Sequence, residues 1–328
     1  MDGSSSSKTS PGTVDISATG LPRGAWPTMI TPFHEDGSID YQSLQSLVDW
    51  FIDNGVAGLF TVCLSSEMYD LSNSERLELA RAVKKYSTGR VPVVASGTFG
   101  GSVEDMADFV RSMAKEVDAV VVLVNQLASQ DEDDDAWRCN VQKLLDLTPG
   151  VCLGLYECPV PYKRFISLDN LRWALSTNRF FFHKDTECKK VPIKAKIDVV
   201  KEFPDTPFRF LNANIETLQY SQSNGGDGFS GISANFCPAV IAWLCEHHST
   251  REQAEQVQEF LGLSQNLIMW KYPCCAKKYH QMFGVTTMKT TCKASTPDFN
   301  DIETMALADL RSSIQDTRQL AGIPDLAS

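Results

Sequence analysis

The residue that most strongly suggests catalytic chemistry in this sequence is a lysine at the end of an apolar run. Three consecutive phenylalanines, 180–182, are followed two residues later by Lys184. In an extended strand, alternation places Phe180, Phe182 and Lys184 on one face. An ammonium group on an apolar face loses hydration, so its pKa falls and a neutral amine becomes available to attack a carbonyl and form a Schiff base. The alternative is a lysine that reaches into solvent and pairs with an acid such as Asp185.

A tyrosine ends the preceding β-like run, one βα unit before this lysine. Adjacent parallel strands lie about 4.8 Å apart, so we expect the hydroxyl of Tyr156 and the amine of Lys184 to converge. A phenol in that position can move protons during carbinolamine formation and at an aldehyde oxygen. The alternative is a core tyrosine whose hydroxyl bonds a backbone carbonyl.

Two further loops carry small or polar residues that suit anion binding. Segment 63–67, Cys-Leu-Ser-Ser-Glu, offers backbone N–H groups and the hydroxyls of Ser65 and Ser66. Such a loop can cradle a carboxylate. Glycines in 224–228 and 231–235 allow the backbone to approach a ligand closely. The alternatives are an ordinary polar loop in the first case and simple turn geometry in the second.

The elements that must position these residues alternate along the chain. Eight β-like runs with helical patterns between them predict a (β/α)8, or TIM, barrel, in which the C-terminal ends of the strands build the active site. A doubly wound sheet is the competing fold, but this sequence has no GxGxxG motif opening the first helix, as such a fold would have when it binds a dinucleotide. The predicted strands are 24–33, 58–63, 91–96, 118–124, 151–158, 180–186, 208–212 and 228–235.

Helices are predicted from apolar periodicity and from N-terminal capping motifs. Residues 41–54 repeat apolar side chains at i, i+3 and i+4, and Ser72 and Ser102 begin capping motifs. A barrel needs only one helix after its last strand, whereas the patterns predict helices at 238–248, 251–270 and 301–320. We therefore expect a disordered Ser-rich tail at 1–20, a barrel at 21–248 and a C-terminal helical extension at 249–328, which covers the barrel or an oligomer interface.

Composition restricts the classes of partner. A formal net charge of −11 argues against nucleic-acid binding, which needs clustered Lys and Arg. The ten cysteines are scattered and form no CxxC pair, as is typical of reduced thiols in a cytoplasmic protein. No apolar run reaches the length of a transmembrane helix. The HxH and HExxH spacings of metal sites and the GxSxG of hydrolases do not occur. The sequence predicts a cytoplasmic protein with no metal, nucleic-acid or membrane partner.

Several short motifs follow one another in the order of a known family. They are Thr-Pro-Phe at 31–33 with Asp-Gly-Ser-Ile-Asp at 36–40, Ser-Ser-Glu at 65–67, Tyr156 with Pro159, Lys-Asp-Thr at 184–186, the glycine segment 228–235 and Tyr-Pro at 272–273 with Ala-Lys at 276–277. With these motifs, residues 21–322 resemble the dihydrodipicolinate synthase/N-acetylneuraminate lyase family of class I, Schiff-base aldolases.

This resemblance implies roles for individual residues. Lys184 would form an imine with pyruvate or another 2-oxo acid, and Tyr156 would relay protons. The residues implied to bind the substrate, with its carboxylate end at the 64–65 loop and Ile232, are Leu64, Ser65, Ser66, Ile232, Thr31 and Ala213. Because the protonated imine is itself the electron sink, the resemblance implies no metal and no organic cofactor. It also implies a homo-oligomer, a tetramer or a dimer.

Departures from the family pattern bear on the substrate. The family's Gly-Thr-Thr-Gly-Glu loop is here Cys-Leu-Ser-Ser-Glu at 63–67. True synthases place an arginine shortly after the tyrosine, whereas here the basic residues Lys163 and Arg164 come later in the chain. The Pro-Tyr-Tyr run after strand four is Val-Asn-Gln at 124–126. We therefore expect an aldolase or lyase that converts a 2-keto-3-deoxy sugar acid or similar 2-oxo acid to pyruvate and an aldehyde. The alternatives are a 4-hydroxy-tetrahydrodipicolinate synthase, a Schiff-base dehydratase, or a barrel that binds a 2-oxo acid without turnover.

Overall fold

Eight parallel strands form a single curved sheet in the computed structural model, which describes residues 20–249 and 252–324. The strand order is β1-β8-β7-β6-β5-β4-β3-β2. Backbone hydrogen bonds close the ring between its two ends, because Met29 N donates to Phe60 O (2.9 Å) and Ala57 N donates to Ala25 O (2.8 Å). The predicted barrel is confirmed. Its strands are β1 (Gly24–Ala25), β2 (Leu59–Thr61), β3 (Val93–Ser96), β4 (Ala119–Leu123), β5 (Leu153–Tyr156), β6 (Phe180–Asp185), β7 (Arg209–Asn212) and β8 (Gly228–Phe229).

Helices surround the strands, and several begin at the capping residues that the sequence indicates. Ser72 Oγ accepts a hydrogen bond from Glu75 N (3.3 Å), and the Glu75 carboxylate accepts one from Ser72 N (2.7 Å). None of the helices in 20–249 and 252–324 is both long and apolar enough to cross a bilayer. The helices are α1 (Tyr41–Asp53), α2 (Asn73–Ser87), α3 (Val103–Met113), α4 (Asp134–Leu147), α5 (Leu168–Ser176), α6 (Lys190–Lys201), α7 (Leu218–Ser223), α8 (Pro238–His247), α9 (Gln253–Met269), α10 (Cys274–Phe283) and α11 (Asp301–Ala321).

The ends of the barrel differ from the predicted intervals. β1 stops at Ala25, since Pro27 has no N–H to donate, and the predicted remainder of this strand forms only isolated bridges. β8 stops at Phe229 and is followed by a short 3-10 helix, Ile232–Asn235. Helix α10 is not predicted by the sequence pattern, because its N-terminal residues offer no capping side chain. The predicted tail at 1–20 lies outside the described residues except for Gly20.

An aromatic cluster fills the barrel interior. The ring of Phe182 meets those of Trp26 and Phe60 edge to face, with centroids 5.5 Å and 5.6 Å away. Phe60 also meets Tyr156 at 5.8 Å. Such pairs contribute beyond their buried area. Gly58 makes room for this cluster, because a Cβ there would lie 2.3 Å from the Trp26 ring.

We expect Gly58→Ala to lower the free energy of unfolding by about 1–3 kcal/mol, because the added methyl must displace the Trp26 indole from a packed core. Urea unfolding measures the change. The matched control is Gly262→Ala in α9, where the nearest atom to an added Cβ is Glu216 Cγ at 3.9 Å. That variant should gain about 0.5–1 kcal/mol from helix propensity. Equal effects of the two substitutions would contradict the proposed role of Gly58.

Candidate active site

Strand register brings the predicted lysine and tyrosine together. Tyr156 at the end of β5 pairs with Lys184 on β6. A register shift between Leu153 and Gly154 lies lower in the same pair, so residue 181 is the extra residue of an irregularity. From Phe182 onward the strand alternates regularly, which sends Phe182 and Lys184 to the barrel interior.

Lys184 is enclosed by aromatic rings. Only 5% of the residue is exposed, and its Nζ lies 4.2 Å from the centroid of the Tyr156 ring and 5.7 Å from that of Phe60. Burial lowers the pKa of the Lys184 ammonium to about 8, and nearby Cys63 and Cys158 oppose the shift only in part. A neutral amine is therefore accessible near physiological pH.

Tyr156 presents its ring face, and not its hydroxyl, to this amine. Burial raises the pKa of Tyr156 well above its usual value, and the nearby Cys158 thiol adds to this shift. The phenol is thus a proton donor at neutral pH. The Cys158 sulfur also lies 4.0 Å from the hydroxyl of Tyr69, which donates to Val160 O at 2.8 Å. Tyr69 lines the cavity described next, and no sequence pattern singled it out.

A cavity of about 630 Å³ opens above the two side chains. Its volume suits a small organic ligand. Of the residues that the sequence indicates for substrate binding or catalysis, the cavity is lined by Leu64, Ser65, Tyr156, Lys184, Ala213 and Ile232. Thr31 and Ser66 do not share in this lining. Both are fully buried, with the Thr31 hydroxyl donating to Ser66 O (3.1 Å) and the Ser66 hydroxyl donating to Met29 O (2.7 Å). Both side chains therefore bond backbone carbonyl groups behind segment 63–67 and do not face the cavity.

The hydroxyl of Ser65 belongs to a buried polar network. It donates to Thr28 Oγ1 at 3.1 Å, and the hydroxyl of Tyr272 lies nearby. Asn235 Nδ2 donates to the same tyrosine hydroxyl at 3.0 Å. Residues from three other parts of the chain thus form the network around Ser65 at the cavity wall.

The C-terminal extension supplies one side of the cavity. Glu67, in the left-handed backbone region at φ 59°, accepts hydrogen bonds from Lys277 Nζ (2.6 Å) and from Lys293 N (2.5 Å). These bonds connect the C-terminal extension to segment 63–67. The sequence predicted a covering extension but not its residues in the wall. The extension contributes Gln265, Met269, Tyr272, Pro273, Cys292, Ala294 and Ser295.

Comparison with known proteins identifies the family. The Dihydrodipicolinate synthetase family matches residues 21–124. The chain is 40% identical over 267 residues to the 4-hydroxy-tetrahydrodipicolinate synthase of Ralstonia nicotianae, covering 80% of this chain and 87% of that protein. The chain belongs to the dihydrodipicolinate synthetase family. The enzyme of the same name from Neisseria meningitidis serogroup C is 27% identical over 226 residues, which are 68% of this chain and 74% of that protein.

Solved structures of the dihydrodipicolinate synthetase family share the fold. A monomeric dihydrodipicolinate synthase variant superposes with a TM-score of 0.79 at 18% identity, covering 93% of this chain and 99% of that one. A family member from Coccidioides immitis gives 0.79 at 14% identity, with the same coverage of 93% and 99%. A prophage protein of the family from E. coli K12, solved with pyruvate, gives 0.75 at 20% identity, covering 90% of this chain and 98% of that chain.

On the opposite face of β5 and β6, this family member carries a buried ion-pair cluster. Glu157 and Asp185 directly follow Tyr156 and Lys184. Lys196 of α6 lies 2.5 Å from Glu157 Oε1 and 2.6 Å from Asp185 Oδ1. All three charged residues are buried. The cluster joins the two strand ends to α6 just behind the candidate active site.

Protonation within the cluster follows its geometry. Burial and the neighbouring Glu157 charge raise the pKa of Asp185 to about 7, whereas the pKa of Glu157 is lowered, because the Lys196 ammonium and His183 outweigh the opposing effect of its burial. Burial lowers the pKa of His183.

Ligand atoms of Glu157, His183 and Asp185 lie within 4.8 Å of one another and are of types that bind metals. The Lys196 ammonium contacts both carboxylates, so the position between them is already taken by a cation.

We expect Lys196→Met to destabilise the protein by about 3–5 kcal/mol, because it leaves two buried carboxyl groups without their cation. Urea unfolding at neutral pH provides the measurement. Lys194→Met on the same helix is the control, since Lys194 pairs with Asp198 at 2.5 Å where both side chains are nearly half exposed. It should cost less than about 1 kcal/mol. A loss for Lys196→Met no larger than the control would show that the cluster does not hold the strands.

Proposed function

We propose that this protein is a class I, Schiff-base-forming lyase of the dihydrodipicolinate synthetase family that acts on a 2-oxo acid. The observation that carries the proposal is the environment of Lys184, a lysine kept dry by aromatic rings at the base of a ligand-sized cavity. Such an amine is the nucleophile that imine chemistry requires. Family membership supports the same reaction type.

The proposed mechanism starts with attack of the Lys184 amine on the 2-oxo carbon. Loss of water from the carbinolamine gives an imine, which is protonated and withdraws electrons. In the cleavage direction, the bond between C3 and C4 breaks, its electron pair enters the imine to form an enamine, and the C4 hydroxyl loses its proton as the aldehyde departs. Protonation of the enamine at C3 and hydrolysis then release pyruvate and the free amine. The enzyme's own imine is the electron sink, so this route uses no metal or organic cofactor.

Tyr156 is the proposed acid and base of this sequence. Its ring packs against the Lys184 amine, and its raised pKa keeps the phenol protonated before the reaction. A protonated phenol can donate to the carbinolamine oxygen as water leaves, and the resulting phenolate can accept the C4 hydroxyl proton. The carboxylate of the substrate is proposed to lie at the wall formed by Leu64 and Ser65, with Ala213 and Ile232 across the cavity.

The polar lining of the cavity favours a hydroxylated aldehyde as the second product. Its lining includes side chains that form neutral hydrogen bonds, namely those of Thr186, Asn214, Gln265 and Ser295. Such groups match sugar hydroxyls, which supports a 2-keto-3-deoxy sugar acid as the substrate. A 4-hydroxy-tetrahydrodipicolinate synthase is the second candidate, favoured by the name of the Ralstonia relative and by an exposed rim ammonium, Lys163, that could meet a second carboxylate.

Domain limits and assembly complete the proposal. We take 21–248 as the barrel and 249–328 as the extension. We also propose a homo-oligomer, a dimer or a tetramer. Its support is the exposure of Ile302 (77%) and Met305 (65%), three residues apart on α11. Exposed apolar side chains on one helical face are typical of protein interfaces.

Reduction with borohydride in the presence of pyruvate should trap a covalent adduct on Lys184, seen as a mass increase of the intact protein. Lys184→Ala should abolish the adduct, and Lys163→Ala, which removes the other lysine of the cavity lining, should retain it. Incubation with sugar-acid and aspartate-derived substrates then separates the candidates by which aldehyde is released or consumed. An adduct without turnover would indicate a binding protein. An adduct that persists in Lys184→Ala would refute the proposal.

The rate of adduct formation should rise with pH and level off above about 8. Because the pKa of Lys184 is lowered to about 8, the neutral fraction grows about tenfold per pH unit below that value. Stopped reduction at a series of pH values measures the rate, and Lys163→Ala should give the same midpoint. A rate that still climbs at pH 10 would mean that the amine is solvated and that its pKa is unperturbed.

A further inference from the structure

Two cysteines meet where the C-terminal extension borders the cavity. All ten cysteines lie in the described ranges and are present as free thiols. Cys274 Sγ lies 3.2 Å from Thr290 O, and Cys292 Sγ lies 3.6 Å from the same oxygen. Each thiol also shifts the pKa of the other. Their sulfur atoms therefore converge on one point.

The surroundings activate one thiol over the other. Cys274 is the first residue of α10, where the partial positive charge of a helix N-terminus favours a thiolate. Lys277 lies one turn later, held by Glu67 Oε1 (2.6 Å) and Thr291 O (2.7 Å). The pKa of Cys274 is lowered, first by the neighbouring Cys292 thiol and then by the charge of Lys277, although burial opposes both. The pKa of Cys292 is raised.

Access to the pair comes through the cavity. Cys292 is part of the cavity lining, whereas Cys274 is only 1% exposed. A small, uncharged oxidant such as hydrogen peroxide can enter by the route that a substrate uses. Cys275, the neighbour in sequence, is not placed to join the pair, because its sulfur bonds Ile268 O at 3.3 Å and its pKa is raised by burial to about 12.

We propose that Cys274 and Cys292 are a redox modification site that closes to a disulfide when a peroxide enters the cavity. The peroxide passes Cys292 at the cavity wall to reach the thiolate of Cys274, which attacks one peroxide oxygen. The O–O bond breaks, and hydroxide leaves with a proton from solvent as water. The sulfur of Cys292 then attacks the sulfenic sulfur, an S–S bond forms, and the sulfenic oxygen departs as water. In total, two thiols and one peroxide give one disulfide and two waters.

The disulfide would act on the wall of the cavity. It would link segment 284–300, which carries the lining residues Cys292, Ala294 and Ser295, to the start of α10 beside Tyr272 and Pro273. The Thr290 carbonyl would lose both of its thiol partners. Oxidation thus changes the shape and mobility of the side of the cavity opposite the barrel without touching Lys184.

The test uses the reduced full-length protein, freed of reductant and treated with equimolar hydrogen peroxide. We expect the intact mass to fall by two hydrogen atoms and dithiothreitol to restore it. Trypsin should release peptides 272–277 and 290–293 as a linked pair, and fragmentation should place the bond at Cys274 and not at Cys275. Cys274→Ser and Cys292→Ser should each abolish the link, and Cys275→Ser should keep it.

Two results would overturn this assignment. One is an unchanged thiol count in wild-type protein after peroxide treatment, which would show that the pair is inert. The other is a bond that maps to Cys275 or to Cys188, the second thiol of the cavity lining. Neither depends on a variant that must fold, because both are read on the wild-type chain. Since no turnover is measured, the result also stands apart from the proposed lyase reaction.

Discussion

The removal of water from one ammonium group is the constraint on which the proposed chemistry depends. Lys184 reaches the cavity from the barrel interior, where Tyr156 and Phe60 leave it few polar neighbours. That enclosure requires the Tyr156–Lys184 register, which in turn requires the irregularity lower in β5 and β6. A slip by one residue would send the lysine to the helix-facing side.

The two faces of the β5–β6 pair carry opposite electrostatic arrangements. Inside, the Lys184 amine lies among aromatic rings and forms no ion pair within the described part of the chain. Outside, Glu157 and Asp185 share the Lys196 ammonium. Because successive residues alternate between faces, each strand carries one group of the proposed chemistry and one group of the ion-pair cluster in adjacent positions. Tyr156 and Lys184 are therefore constrained by the enclosure of an amine, whereas their neighbours Glu157 and Asp185 are constrained by the ion pairs with Lys196.

The barrel, its order of elements and the pairing of Tyr156 with Lys184 could be predicted because they depend on periodicity and on spacing along the chain. The length of β1 could not, since a proline and the closure of the ring decide it together. Sequence alternation correctly placed Phe182 beside Lys184, yet it predicted a meeting of the Tyr156 hydroxyl with the amine, and the structure shows the ring face there. Side-chain rotation depends on packing that no local pattern records.

Thr31 and Ser66 lie behind the cavity wall for a similar reason, because hydroxyls beside a cavity can equally bond the backbone behind it. Tyr69 and the wall residues 292–295 gave no signal, as their positions depend on contacts between distant segments. The bonds from Glu67 to Lys277 and Lys293 span 210 and 226 residues. During synthesis on the ribosome, Lys184 emerges well before residues 265–295, so the nascent barrel passes through a stage in which its cavity lacks the wall that the C-terminal extension supplies.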